Sequence, residues 1–243
     1  MTDLPPQVPP QIPPQVDFPD QFLTLKQPFP HFFKALHGEG SVRIVAMGSS
    51  STAGRGDVVP YPPRLELYLR GQYQDRYPKI RIDVLNRGMG GQEAIEELAR
   101  FKTDIFDEKP SLVIWQIGTN AVFHNYNIKD VTHAIHRGLK ELGAQEFDVL
   151  LIDPQYTTAM LLDDKADVSE EMVSLIAAAA EGAKVSLFRR WALMRHWHIH
   201  NNVALDQMID PTDPDRLHQS DWSTMEVSKA LCSALTRSLT AMS

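Results

Sequence analysis

The 243-residue sequence predicts an α/β protein, a three-layer α/β/α sandwich on a flavodoxin-like parallel sheet of about five strands. Three observations carry that prediction. Apolar, β-branched runs alternate with stretches of helical periodicity, the connections between them are short, and Leu112–Ile117 (LVIWQI) is apolar throughout. A strand covered by helices on both faces reads in that continuous way.

The elements follow in order. A first strand carries Val42, Ile44, Val45 and Met47 and stops at Gly48. Pro62 and Pro63 open a helix that runs to about Gln74, since a first helical turn tolerates a missing N–H. Ile80–Leu85 (IRIDVL) alternates as a second strand, and Gln92–Phe106 places Ile95, Leu98, Ala99 and Ile105 at helical spacing. Leu112–Ile117 is the third strand, Ile128–Leu142 a helix, Val149–Ile152 the fourth strand and Ser169–Glu181 an alanine-rich helix. Val185–Phe188 is a short fifth strand, and Ser223–Leu239 closes the chain as a helix.

Residues 1–36 read as a Pro-rich N-terminal arm and residues 37–243 as the α/β domain. Three P-P-Q-h units favour polyproline II and lack the apolar surface to pack alone. A tether or an arm lying on the domain is preferred to an SH3-type ligand, and Phe29–Leu36 (FPHFFKAL) is aromatic enough to dock it.

Composition narrows the class further. A net charge of -7 with no Lys/Arg cluster argues against a nucleic-acid surface. Cys232 is the single cysteine, so no intramolecular disulfide can form, and it reads as a small buried thiol. No apolar run approaches the ~18 residues that a membrane span needs. The chain as given shows no signal peptide. Neither the compartment nor the oligomeric state is legible: periplasmic or secreted if a signal precedes it, cytoplasmic otherwise.

The first three strands each end in a small or polar cluster: Gly48-Ser49-Ser50-Ser51-Thr52-Ala53-Gly54, then Asn86-Arg87-Gly88-Met89-Gly90-Gly91, then Gly118-Thr119-Asn120. In a parallel sheet these meet at one edge, so Ser50, Gly91 and Asn120 can face a common cleft. Near the C-terminus, Asp215 precedes His218 by three residues in a polar loop. An acid so placed can hold Nδ1–H and leave Nε2 free to accept a hydroxyl proton. Read alone, the same acid serves equally as a cap or turn residue.

These four pieces, spread over nearly all of Val42–His218, resemble the SGNH (GDSL-type) hydrolase superfamily. Gly48–Gly54 matches the opening block Gly-Asp-Ser-φ-Thr-x-Gly, Asn86–Gly91 the Asn-x-x-x-x-Gly block, Gly118–Asn120 the Gly-x-Asn-Asp block, and Asp215–His218 the Asp-x-x-His block. The resemblance implies Ser50 as nucleophile, His218 as base, Asp215 as its orienter, and an oxyanion hole from Ser50 N–H, Gly91 N–H and the Asn120 amide. No cofactor and no metal are expected. Two positions depart from the pattern: Ser49 stands where the first block has Asp, and Ala121 where the third has Asp. Thr52 or Thr119 hydroxyls are expected to brace those loops instead.

The expected function is a serine esterase acting on a small acyl ester, with a carbohydrate O-acetyl group as the first expectation. Thioesters and lysophospholipids lie within the same superfamily. A different class, a flavodoxin-like module whose Ser50–Gly54 turn cradles a phosphate or nucleotide, lacks the Gly-Lys-Ser/Thr ending of a P-loop. It also leaves Asp215 and His218 without a role. His196 and His200 share a helix face but lack the His-Glu-x-x-His pattern of a zinc site. Trp191, Met194 and Trp197 are expected to roof the cleft or pack in the core. Trp115 is expected to pack, His124 to lie at the surface, and Asp153-Pro154-Gln155 is given no role.

Overall fold

The computed structural model describes residues 13–162 and 165–242, so the first two P-P-Q-h units lie outside the described residues. In chain order the helices and strands are α1 (Asp20–Leu23), α2 (Pro30–Leu36), β1 (Gly40–Gly48), α3 (Ser50–Ala53), α4 (Tyr61–Tyr73), β2 (Ile80–Gly88) and α5 (Ala94–Leu98). Then come β3 (Leu112–Gln116), α6 (Thr119–Phe123), α7 (Ile128–Leu142), β4 (Asp148–Ile152), α8 (Lys165–Ala183), β5 (Ser186–Phe188), α9 (Arg190–His200), α10 (Leu205–Met208) and α11 (Asp221–Thr240).

The five strands form one parallel sheet in the order β2-β1-β3-β4-β5. All five residues of β3 and of β4 are buried, because helices cover both faces. α4 packs on α11 and on β2, while α7 packs on α5 and α8. The three-layer sandwich and flavodoxin-like strand order expected from the sequence are therefore present. In this order the chain reverses direction at β1, and the crevice outside the carboxyl ends of β1 and its neighbours is where such sheets hold ligands.

The expected helix over Gln92–Phe106 is broken. α5 stops at Leu98, and a π-turn over Lys102–Phe106 follows. That wider turn buries both Phe101 and Ile105, with the Phe101 ring 5.1 Å from Trp115 and edge-on to it.

The segment before β1 is part of the packing. Leu23, Phe29, Phe32 and Leu36 belong to the same apolar core as the sheet. Phe32 N–H donates to the Asp148 carboxylate at 2.8 Å, tying α2 to the start of β4. α9 receives the arm: Trp197 Nε1–H donates to Asp17 O at 3.0 Å, His196 pairs with Asp17 at 2.9 Å, and Phe22 lies 5.4 Å from His196. Trp191, Met194 and Trp197 are buried in the core under this contact, and none of them lines the recess beside Ser50. The roof expected over the cleft is thus a docking floor for the arm.

Candidate active site

The carboxyl end of β1 is built to project one hydroxyl. Gly48 has φ near +158, and a Cβ there would come within 2.4 Å of Thr52 Oγ1 and 3.0 Å of Gln116 Oε1. The chain then turns into α3, whose first residue is Ser50. β2 must pass this turn closely: a Cβ on Gly88 would sit 2.1 Å from Ala53 N, so only glycine fits. Asn86 secures the contact, its Nδ2 donating to Ala53 O at 3.2 Å while its Oδ1 accepts from Gly88 N–H at 2.9 Å. Ser50 thereby stands beside the loop that carries Gly91.

Ser50 Oγ lies 2.9 Å from His218 Nε2, across 168 residues of sequence. The other imidazole nitrogen, Nδ1, lies 2.8 Å from Asp213 Oδ2. Asp215, the acid expected in that place, is exposed on the outside of the loop. The reason is local geometry. Asp213 heads a turn in which Arg216 adopts φ +53, and its carboxylate collects the N–H groups of Leu217 (2.8 Å), His218 (2.7 Å) and Asp215 (3.3 Å). The acid that organises the turn is the one that reaches the ring.

Burial pushes the Asp213 carboxyl up, but hydrogen bonds from the His218 N–H, the His218 ring and the Leu217 N–H outweigh it and bring it down to about 2. Arg55 adds an ion pair to Asp213 Oδ1. Its Nη1 also lies 2.7 Å from His218 Nδ1. A guanidinium nitrogen offers only protons, so this contact and the Nδ1–H to Asp213 bond require opposite states of Nδ1. With the proton on Nδ1, the ring keeps Asp213 Oδ2 and the guanidinium keeps Oδ1.

Asn120 is buried in the first turn of α6, and its Nδ2 donates to Gln92 O at 2.7 Å. An amide nitrogen has two protons, so one remains for another acceptor. Gln92 follows Gly91 directly, which brings the second and third strand-end clusters together. A Cβ on Gly90 would lie 3.9 Å from Ser50 Cβ, and Gly91 itself adopts φ +80.

Buried amides and hydroxyls brace these loops. Ser49 Oγ and Thr52 Oγ1 both donate to Gln116 Oε1, at 3.4 and 3.3 Å. Gln155, to which the sequence assigned nothing, accepts from Ser51 at 3.1 Å and Thr119 at 3.1 Å, and donates to Leu217 O at 3.2 Å. It links the Ser50 turn, the Asn120 turn and the His218 loop through one side chain. Glu93 is the second residue missed: its buried carboxylate accepts from the N–H groups of Ala94, Gly118 and Ala121. The signal that could have found it is Ala121, where a lost acid calls for an acceptor from elsewhere. A small recess adjoins Ser50 and His218, walled by Arg55, Val58, Pro60 and Thr224.

Sheet order and strand-end clusters together define an SGNH-like hydrolase fold. The chain belongs to the Non-GDSL lipase-like family, whose model matches residues 15–241. Among solved structures it is similar to a catalytic mutant of Axe2, an acetylxylan esterase from Geobacillus stearothermophilus, with TM-score 0.66 and 17% identity over 83% of this chain and 95% of that one. LAE5, an alpha/beta hydrolase enzyme from the metagenome of Lake Arreo, Spain, gives TM-score 0.65 at 17% identity, covering 86% and 99%. The lipase/acylhydrolase from Enterococcus faecalis gives 0.63 at 20% identity, covering 79% and 93%.

Two curated relatives share shorter stretches. An acetylxylan esterase of Geobacillus stearothermophilus is 32% identical over 89 residues, 37% of each chain. An uncharacterized lipoprotein, YqeF, of Bacillus subtilis (strain 168) is 34% identical over 84 residues, 34% of this chain and 33% of that one. The chain thus spans about a third of the length of the curated relatives it matches.

Proposed function

We propose that this protein is a serine esterase that removes a short acyl group, with Ser50 as nucleophile, His218 as general base and Asp213 as the acid that orients it. The observation that carries the reading is the continuous contact from Ser50 Oγ to His218 Nε2 at 2.9 Å and from Nδ1 to Asp213 at 2.8 Å. The Asp213 carboxyl is held down to about 2 and is ionised at neutral pH, so it holds Nδ1–H and later balances the imidazolium. A phosphate cradle would leave this relay without a purpose.

In the reaction, His218 takes the Ser50 proton as Oγ bonds to the acyl carbon. His218 then passes that proton to the departing alcohol oxygen as its bond to carbon breaks. Water repeats the sequence on the acyl-enzyme and frees the acid. The negative oxygen of each tetrahedral intermediate is met by the N–H groups of Ser50 and Gly91 and by the second proton of the Asn120 amide.

A short acyl group suits the small recess walled by Val58, Pro60 and Thr224. The acetylxylan esterase among the relatives supports an O-acetylated carbohydrate as substrate. Ser49 in the place of the first-block Asp accords with a family described as non-GDSL rather than with the GDSL type proper.

The test is a panel of p-nitrophenyl esters from acetate to dodecanoate together with acetylated xylooligosaccharides. Hydrolysis should be highest for acetate, and Ser50→Ala should abolish both turnover and labelling by a fluorophosphonate. Labelling that survives in Ser50→Ala would remove Ser50 as nucleophile. Asn120→Ala should lower kcat by about 10²–10³ while the protein stays folded.

A further inference from the structure

The carboxylate of Glu93 has an unusual set of neighbours. The residue is 1% exposed, and its two oxygens receive four backbone contacts. Oε1 accepts from Ala94 N–H at 3.0 Å and Gly118 N–H at 2.9 Å. Oε2 accepts from Gly118 N–H at 3.1 Å and Ala121 N–H at 2.9 Å. A proton on either oxygen would face an N–H instead of an acceptor, so this site is made for the anion.

The anchored groups bracket Asn120. Gly118 sits at φ +89, held from the other side by Ile176 and Met172, which a Cβ there would meet at 2.6 and 3.0 Å. Asn120 therefore lies between two N–H groups fixed by one carboxylate. Its own side chain bonds to Gln92 O at 2.7 Å, the carbonyl directly before Glu93. The Gly91–Glu93 loop and the Gly118–Ala121 turn are joined twice, once through Glu93 and once through Asn120.

Glu97, one helical turn further on, completes the cluster. Its Oε2 accepts from Trp115 Nε1–H at 2.6 Å and its Oε1 has no partner among the described residues. Burial, and after it the charge of Glu93, push the Glu97 carboxyl well above the ordinary range. Burial also raises Glu93, but the Gly118, Ala121 and Ala94 N–H groups oppose the rise. Of the two acids, Glu97 is pushed up further, because fewer N–H donors meet its oxygens than meet those of Glu93.

We propose that Glu93 is a positioning residue: it clamps the Gly118–Ala121 turn to the Gly91–Glu93 loop, so that the Asn120 amide and the Gly91 N–H aim at one oxygen. This deepens the esterase reading and rests on it. A neutral isostere keeps the volume but presents an NH₂ group to N–H donors, which loosens the clamp on one side.

The experiment is a double-mutant cycle with Glu93→Gln and Asn120→Ala, read as kcat and KM for p-nitrophenyl acetate and as Tm. Glu93→Gln alone should lower kcat by about 10–100-fold with KM within about threefold. On the Asn120→Ala background the same change should lower kcat by no more than about threefold, because the amide that Glu93 positions is already gone. If Glu93→Gln does not yield folded protein, Glu93→Asp takes its place, since a side chain one methylene shorter withdraws the acceptor but keeps the charge. An equal kcat loss on both backgrounds, a loss of less than twofold, or failure of both variants to fold would overturn the assignment. Ser50→Ala is the control: activity surviving there would sink the esterase reading itself, whereas an additive cycle with inactive Ser50→Ala sinks the Glu93 assignment alone.

Discussion

Asp213 and Asp153 are both buried carboxylates, and their surroundings push them in opposite directions. Asp213 receives N–H groups from Leu217, His218 and the imidazole, and an arginine as well, and its carboxyl falls to about 2. Asp153 receives Trp191 N–H at 2.9 Å on one oxygen, while the other has no partner among the described residues. Burial dominates there and pushes it up to about 7. The nearby Arg190 does not rescue it, because its Nε goes to the Asp153 backbone carbonyl and its Nη2 is likewise without a partner. What separates the two acids is how many donors the local backbone aims at the carboxylate.

The sharpest way to break this comparison is to neutralise each acid in turn. Asp213→Asn should lower kcat/KM by about 10³–10⁴, because the ring loses the acceptor that fixes its tautomer. Asp215→Asn should change it by less than about threefold, and a large loss there would restore the acid that the sequence spacing favoured. Asp153→Asn should leave kcat/KM within about threefold and flatten the fall of stability above pH 5.

The pH dependence of stability is the smaller effect. The Asp213 carboxyl is lower folded than unfolded, so its contribution is complete above about 4 and is lost as pH falls towards 2. Asp148 and Asp153 are raised by burial to about 6 and about 7, so the folded state binds the extra protons and stability falls as pH rises from about 4 through those values. Thermal melts from pH 2 to pH 8 should therefore pass through a maximum between about pH 4 and pH 5. A melting profile that climbs steadily from pH 4 to pH 8 would contradict the raised pair.

Much of this was legible in the residues. Continuous burial of Leu112–Gln116, the glycine stops and the placing of Ser50 follow from hydrophobic pattern and turn chemistry, which are local. Asp213 rather than Asp215 meets His218 because the loop DPTDPDRLH offers several acids, and the deciding feature, an Arg216 turned to positive φ, is a backbone state that the sequence does not announce. Glu93 and Gln155 were missed for a related reason. Each works by reaching backbone or side-chain groups on other strands, and such a role exists only once the sheet order has brought those loops together. Of the two places open to Trp191, Met194 and Trp197, the cleft roof and the core, they take the core, and the sequence does not announce that the arm covers them.

The docking of the arm has a practical consequence for anyone who trims this protein. Beginning a shortened version at Gly38 would strip Leu23, Phe29, Phe32 and Leu36 from the interior, each worth about 1.5–3 kcal/mol when buried. Together that is about 6–12 kcal/mol, comparable to the whole margin by which a typical domain stays folded. It would also remove the N–H that meets Asp148. What the sequence reads as an arm is, from Asp17 onward, part of the packed structure, and expression designs should respect it.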